Sequence, residues 1–249
     1  MLTMNQLQNK VVFITGGSRG IGAGIAKRVA SAGADVVITY VNSAARAKQV
    51  TDDIEQLGRR ALAIPVDNAS PDAINDAIEK TIAQFGRIDI LVNNAGIYIG
   101  KPLADYTLQD IDNTIAVNIR AVFLASQKAA QYMQAGGRII TIGSNMAERV
   151  AFATGSLYAM SKSALTGLTK GLARDLGPKG VTVNMVNPGP IDTDMNPANS
   201  AHADALRNAM AIPKYGKPAD IAELVVYLAS EASWMMTGAS LTMDGGFNI

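Results

Sequence analysis

Tyr158 and Lys162 stand four residues apart in the stretch TGSLYAMSKSALTGLTKGLARDL, which has helical periodicity. That spacing puts a phenol and an ammonium on one helix face. An unperturbed tyrosine, with a pKa of about 10, is a poor proton-transfer group at neutral pH. A neighbouring ammonium favours the phenolate, so Lys162 is expected to lower the Tyr158 pKa and make it a general acid and base. Ser144 lies fourteen residues upstream, directly after the apolar run Arg138 to Ile142. A hydroxyl there can hydrogen-bond a substrate oxygen on which charge develops during reaction. The three side chains suit reversible proton transfer at a carbonyl or alcohol oxygen. A Y-x-x-x-K spacing also arises by chance in helices, so its meaning depends on the elements that position it.

The first of these elements is Val11 to Gly22, VVFITGGSRGIG, an apolar run that stops at a Gly-rich turn and continues as a helix-like segment. It reads as strand, phosphate loop and helix. Gly16, Gly20 and Gly22 let the backbone turn tightly, approach a pyrophosphate and pack the helix against the sheet, while the helix N-terminus offers free N–H groups to an anion. Ser18, Arg19 and Ile21 complete a loop suited to a dinucleotide. An NAD enzyme would carry an acid at the end of the second strand to accept the ribose hydroxyls. That position, eighteen residues beyond Gly22, is Tyr40. Asn42, Ser43, Arg46 and Arg19 would instead welcome a 2′-phosphate, so NADP(H) is expected to be preferred, with NAD(H) still accommodated. The alternative for Arg46 and Lys48 is a solvated helix face.

Six further apolar runs of strand length follow, at Val36 to Tyr40, Leu62 to Val66, Ile88 to Asn93, Arg138 to Ile142, Val181 to Val186 and Ser240 to Met243. The intervening segments are long enough for crossover helices. The expected fold is α/β: a single-domain, Rossmann-type doubly wound parallel sheet of about seven strands, with helices on both faces and right-handed connections. Ser70-Pro71, Thr107 and Pro218 read as helix starts, and Gly33, Gly58 and Gly177 as stops. No Pro- or Ser-rich linker divides residues 1–249, so one dinucleotide-binding and catalytic domain is expected. Residues 194–214, rich in Asn, Ala and Met, read as a substrate lid within it. Met146, Ala147, Val150 and Phe152 are expected to form the opposite, mostly apolar wall.

Composition narrows the function classes. The chain is 48% hydrophobic but only 5% aromatic, which describes an aliphatic core able to bury both faces of a parallel sheet. A net charge of +1 does not favour nucleic acid or an anionic membrane surface. There is no cysteine, and His202 is the one histidine, so thiolate chemistry is excluded and a metal site is not expected. His202 reads as a surface residue of the lid. The start, MLTMNQLQNK, has no apolar run of signal-peptide length, and nothing approaches the roughly 20 apolar residues of a membrane span, so a cytoplasmic protein is expected.

T-G-x-x-x-G-x-G from Thr15, N-N-A-G at Asn93 to Gly96, a strand-end Ser144 and Y-x-x-x-K at Tyr158 together resemble the short-chain dehydrogenase/reductase family. The resemblance runs from Thr15 to Asp244-Gly245-Gly246. It implies NAD(P)-dependent oxidoreduction of the C=O/CH–OH type, with Asn118, Ser144, Tyr158 and Lys162 as a catalytic tetrad and Asn118 kinking its helix. It further implies that Asp67 and Asn68 sit at the adenine, and that Asn94, Ala95 and Gly96 support the central strand and line the ribose. On chemistry alone these Asx residues are equally turn-formers. Pro188, Gly189, Ile191 and Thr193 would seat the nicotinamide. The family also implies a homotetramer. The expected reaction is NADPH-dependent reduction of a small ketone or aldehyde. One alternative is 3-oxoacyl-carrier-protein reduction, for which Lys128, Arg138, Arg174 and Lys179 are the sparse basic docking candidates. Another is a nucleotide-binding regulator, since PGPIDTDMNPAN resembles a stretch of biofilm-dispersal proteins described as cyclic-di-GMP binders.

Overall fold

Alternate residues of each strand bury against opposite helix layers, and this alternation organises the computed structural model, which describes residues 6–249. The first residues of the N-terminal segment read above lie outside the described residues. The elements run β1 (Val11–Ile14), α1 (Gly20–Ser31), β2 (Asp35–Tyr40), α2 (Ala44–Gln56), β3 (Ala61–Pro65), α3 (Pro71–Phe85), β4 (Ile90–Asn93), α4 (Leu108–Ile115), α5 (Ala121–Tyr132), β5 (Arg138–Ile142), α6 (Ser156–Leu176), β6 (Thr182–Pro188), α7 (Ala203–Asn208), α8 (Pro218–Ala229) and β7 (Ser240–Met243). All seven strands are parallel in the order β3-β2-β1-β4-β5-β6-β7. Val12, Ile14, Val36, Ile38, Ile90 and Val92 pack with α1, α2 and α8. Val11, Phe13, Val37, Leu91, Ile139 and Val183 face α3, α5 and the end of α6. This is the expected doubly wound sheet, and the order reverses between β1 and β4, where such sheets bind ligands beyond their strand ends.

Local chemistry sets most boundaries. Ser70 accepts a hydrogen bond from the Ala73 N–H at 3.4 Å, with Pro71 at the first helical position. Thr107 and Asp110 form a reciprocal capping box at α4, and Pro218 opens α8. Several boundaries shift: β3 lies one residue earlier than expected, at Ala61–Pro65, and β6 starts one residue later and ends two later, at Thr182–Pro188. β2 begins one residue early, at Asp35, whose carboxylate is held by Arg59 at 2.9 Å and Arg60 at 2.7 Å. β4 begins two residues late, at Ile90, and just before it the Asp89 carboxylate accepts the Val11 N–H at 2.8 Å. Gly177 does not stop α6 cleanly: a further tight turn runs to Lys179, and Gly180, at φ 75°, makes the left-handed exit.

Between α4 and α5 the helix carries a π-helical turn at Ala116–Arg120. The extra residue in the turn rotates Asn118 inward, where its side chain is fully buried.

Candidate active site

The glycine loop is closed by contacts that only glycine permits. A Cβ on Gly22 would lie 2.3 Å from the Gly16 carbonyl oxygen and 2.5 Å from Asn94 Nδ2. Gly16 and Gly20 take φ of 67° and 54°, the left-handed region. Ser18, Arg19 and Ile21 lie at the loop and first turn of α1, which starts without a side-chain cap or an acidic residue. Its first N–H groups are therefore left for an anion, and the cradle fits a dinucleotide phosphate.

The strand ends complete the cleft. Thr15 Oγ1 accepts the Asn94 and Ala95 N–H groups, each at 3.0 Å, and Asn94 Nδ2 donates to the carbonyls of Thr15 and Gly16 at 2.9 Å. Asn94 thus ties β4 to the glycine loop rather than projecting freely. A Cβ on Gly96 would touch both Asn118 Oδ1 and Lys162 Nζ at 3.4 Å. Beyond β3, Asp67 is exposed and accepts the Ala69 N–H at 2.9 Å, while Asn68 is buried. Tyr40, Asn42 and Ser43 follow the end of β2. Lys48 pairs with Asp52 one helical turn on, the solvated-face arrangement, whereas Arg46 turns across the cleft to Asp194.

β6 ends in Pro188, and the segment after it folds tightly. A Cβ on Gly189 would lie 2.5 Å from Asp244 Cβ, and Ile191 is buried beside Gly216. Thr193 Cγ2 would stand 3.4 Å from a Cβ on Gly20, so this segment closes over the phosphate loop.

Ser144, Tyr158 and Lys162 meet at the carboxyl end of β5. Ser144 Oγ accepts the Met146 N–H at 3.1 Å, and the Ser144 N–H donates to Asn187 Oδ1 at 3.2 Å. Lys162, 4% exposed, donates from Nζ to the Ile142 carbonyl at 3.0 Å, and burial brings its pKa down to about 8. Asn118 Oδ1 accepts the Ile97 N–H at 2.9 Å while Nδ2 donates to the Ile97 carbonyl and to Ser161 Oγ. All four tetrad candidates therefore share one corner, in which Asn118, Ser144 and Lys162 are buried and Tyr158 is half-buried. Lys162 by itself does not bring about the lowering of Tyr158 expected from it together with an oxidised nicotinamide. Burial pushes its phenol up to about 12, which the hydrogen bond with Ser144 only partly opposes, and Lys162 Nζ stands 5.5 Å from the ring centre.

The environment of this corner has relatives of known kind. A family profile described as enoyl-(acyl carrier protein) reductase matches residues 16–248. A short chain dehydrogenase from Burkholderia cenocepacia, solved in complex with NADP, is 56% identical, with a TM-score of 0.97 over 98% of this chain and all of that one. The chain belongs to the short-chain dehydrogenase/reductase family. Within it, the cyclic-di-GMP-binding biofilm dispersal mediator protein of Escherichia coli K12 is 44% identical over 98% of this chain and 99% of its own. Hydroxynaphthalene reductase arp2 of Aspergillus fumigatus is 38% identical over 92% and 89%.

Three residues of this dehydrogenase cleft were missed from sequence. Tyr98, directly after N-N-A-G-I, sets its ring edge-on to Tyr158 at 5.1 Å and adds to the upward shift of that phenol. Its signal was an exposed aromatic beside a strand end. Asn187, fully buried, links Ser144 to Ser240, and Asp194 faces two arginines. Neither pairing leaves a local pattern. Of the expected apolar wall, Phe152 meets Phe247 edge-on at 6.2 Å and Val150 is exposed, whereas Ala147 packs against the buried cluster of Val122, Leu165 and Met185. His202 lies exposed just before α7. Among the described residues, no group of acidic or histidine side chains could hold a metal ion.

Proposed function

We propose that this dehydrogenase catalyses reversible NADPH-dependent reduction of a ketone or aldehyde to an alcohol. The observation that carries the reading is the corner where half-buried Tyr158 meets buried Ser144 and Lys162 beside an uncapped glycine cradle. Bound through Gly16, Ser18, Arg19, Gly20, Ile21 and Gly22, with Tyr40, Asn42, Ser43, Asp67, Asn68 and Asn94 to Gly96 toward its adenosine end, NADPH supplies the hydride. Ser144 Oγ holds the substrate oxygen, and Tyr158 donates the proton. Lys162 and Asn118 hold the corner that returns it. Pro188, Gly189, Ile191 and Thr193 seat the nicotinamide, and residues 194–214, containing α7, act as the lid.

Free ketones, diketones and 3-oxoesters are the favoured substrates over acyl carrier protein. The basic docking candidates support this: Lys128 pairs with Glu79, Arg138 is buried, and Lys179 Nζ donates to the Ala130 carbonyl at 2.7 Å. Of these four candidates, Arg174 alone has neither burial nor a partner among the described residues. A homotetramer is supported by exposed Phe123 on α5 and Met160 on α6, and by Trp234, Met235, Met243 and Ile249 near the β7 edge. No helix among the described residues is long and apolar enough to cross a membrane, which fits the cytoplasmic reading. A cyclic-dinucleotide-binding regulator is the second reading, favoured by the Escherichia coli relative.

A carbonyl panel assayed by NADPH oxidation, with cyclic-di-GMP titrated into the same preparation, separates these readings. Tyr158→Phe should abolish turnover and leave NADPH affinity within a few-fold. Activity within tenfold of the parent would overturn the catalytic assignment, and carrier-protein substrates reduced more efficiently than every small ketone would overturn the substrate class.

A further inference from the structure

Asp194 sits at the tip of a tight turn just after the segment proposed to seat the nicotinamide. The turn is rigid for its length: Asn196 N–H donates to the Thr193 carbonyl at 3.0 Å, Ala198 N–H to Asp192 Oδ1 at 2.9 Å, and Tyr215 Oη to Asn196 Oδ1 at 3.2 Å. From this tip the carboxylate reaches across the phosphate loop. Its Oδ2 accepts from Arg46 NH1, on α2, and lies 3.7 Å from Arg19 NH1, at the start of α1. Residues from three separate parts of the chain thus meet on one anionic oxygen. These two guanidinium groups are also the cations that chemistry assigns to a 2′-phosphate, the group that distinguishes NADP(H) from NAD(H).

We propose that Asp194 is a built-in stand-in for the cofactor's 2′-phosphate, a specificity-determining residue whose carboxylate must be exchanged for that phosphate when NADPH binds. The inference rests on the NADPH reading above and deepens it. Arg46 hydrogen-bonded to Asp194 holds its carboxyl below the usual range, so the stand-in is charged throughout the neutral region. A phosphate monoester carries close to two negative charges and three acceptor oxygens, against one charge and two oxygens for the carboxylate, so it wins the exchange. NADH has no such group. It leaves Asp194 on both arginines and gains no contact with them. The exchange also frees the turn from α2, so that occupation of the adenosine end is communicated to the start of the lid. All three side chains are more than half exposed, so the competing pairs are weak and salt-screened, and the stand-in tempers cofactor affinity without blocking the site.

The test is Asp194→Asn in the full-length protein, with NADPH, NADH, adenosine 2′,5′-bisphosphate and 5′-AMP titrated calorimetrically at fixed low salt. Two weak surface pairs set the scale: affinity for NADPH and the bisphosphate should rise about threefold to tenfold, with NADH and 5′-AMP changing less than about twofold. In an Arg46→Gln background the same substitution should give a smaller gain, because one of the two competed cations is gone. Parent preference for NADPH with no tightening in Asp194→Asn, or with equal tightening for NADH, would overturn the proposal alone. Equal parent affinity for NADPH and NADH would sink the cofactor reading, and this proposal with it.

Discussion

Asn118→Ala tests whether the π-helical turn exists to hold the loop beside the catalytic corner. The parent side chain makes three hydrogen bonds, two of them with the backbone of Ile97 and one with Ser161 Oγ, at 2.9 to 3.0 Å, and it is fully buried. Truncation removes all three and strands the Ile97 N–H and carbonyl. A net hydrogen bond is worth about 1 kcal/mol and a stranded buried partner costs about 1–3 kcal/mol, so the substitution should destabilise by about 2–5 kcal/mol. Ser161 Oγ loses less, since it still donates to the Tyr158 carbonyl at 2.7 Å. Urea unfolding followed by far-UV circular dichroism, at one protein concentration and without cofactor, measures this directly. Because Gly96 packs on Asn118 and Lys162, and Tyr98 on Tyr158, turnover should fall with stability. A loss below about 1 kcal/mol would refute the reasoning, for it would mean that the Ile97 backbone finds other partners without Asn118.

Gly22→Ala should cost at least about 1–3 kcal/mol and weaken dinucleotide binding, because its Cβ would meet the Gly16 carbonyl at 2.3 Å and no rotamer can relieve a backbone clash. Thermal unfolding and an NADPH titration check it, and a variant of parental stability would show that the loop tolerates opening. Asp110→Asn should lower the unfolding midpoint at neutral pH. The Asp110 carboxyl, hydrogen-bonded by Lys101 and by Thr107, falls to about 2 from 3.8, so its contribution is complete above 3.8 and is lost as pH falls through 2. The gap between parent and variant should therefore narrow on acidification across that window, and a gap that widened there would refute the assignment.

What was legible in the sequence is what depends on neighbours along the chain. The glycine cradle is a strand, a turn and a helix start, and Tyr158 with Lys162 is one helical turn, so spacing alone places them. The parallel, right-handed character of the seven-strand sheet followed from crossover length, whereas the strand order emerges only from the packed fold. Asn118 on Ile97, Asn187 on Ser144 and Asp194 on Arg46 join positions that only the packed sheet brings together, and polar residues that reach that far carry no periodic signal. The sign of the Tyr158 shift belongs to the same class. Charge proximity can be read from an i, i+4 spacing, but desolvation is set by everything that covers the ring, including Tyr98 from the next loop. Here desolvation prevails: Lys162, itself buried and bonded to the Ile142 carbonyl, loses part of its hold on its own proton. Added positive charge beside the ring would oppose that desolvation and favour the phenolate that alcohol oxidation needs.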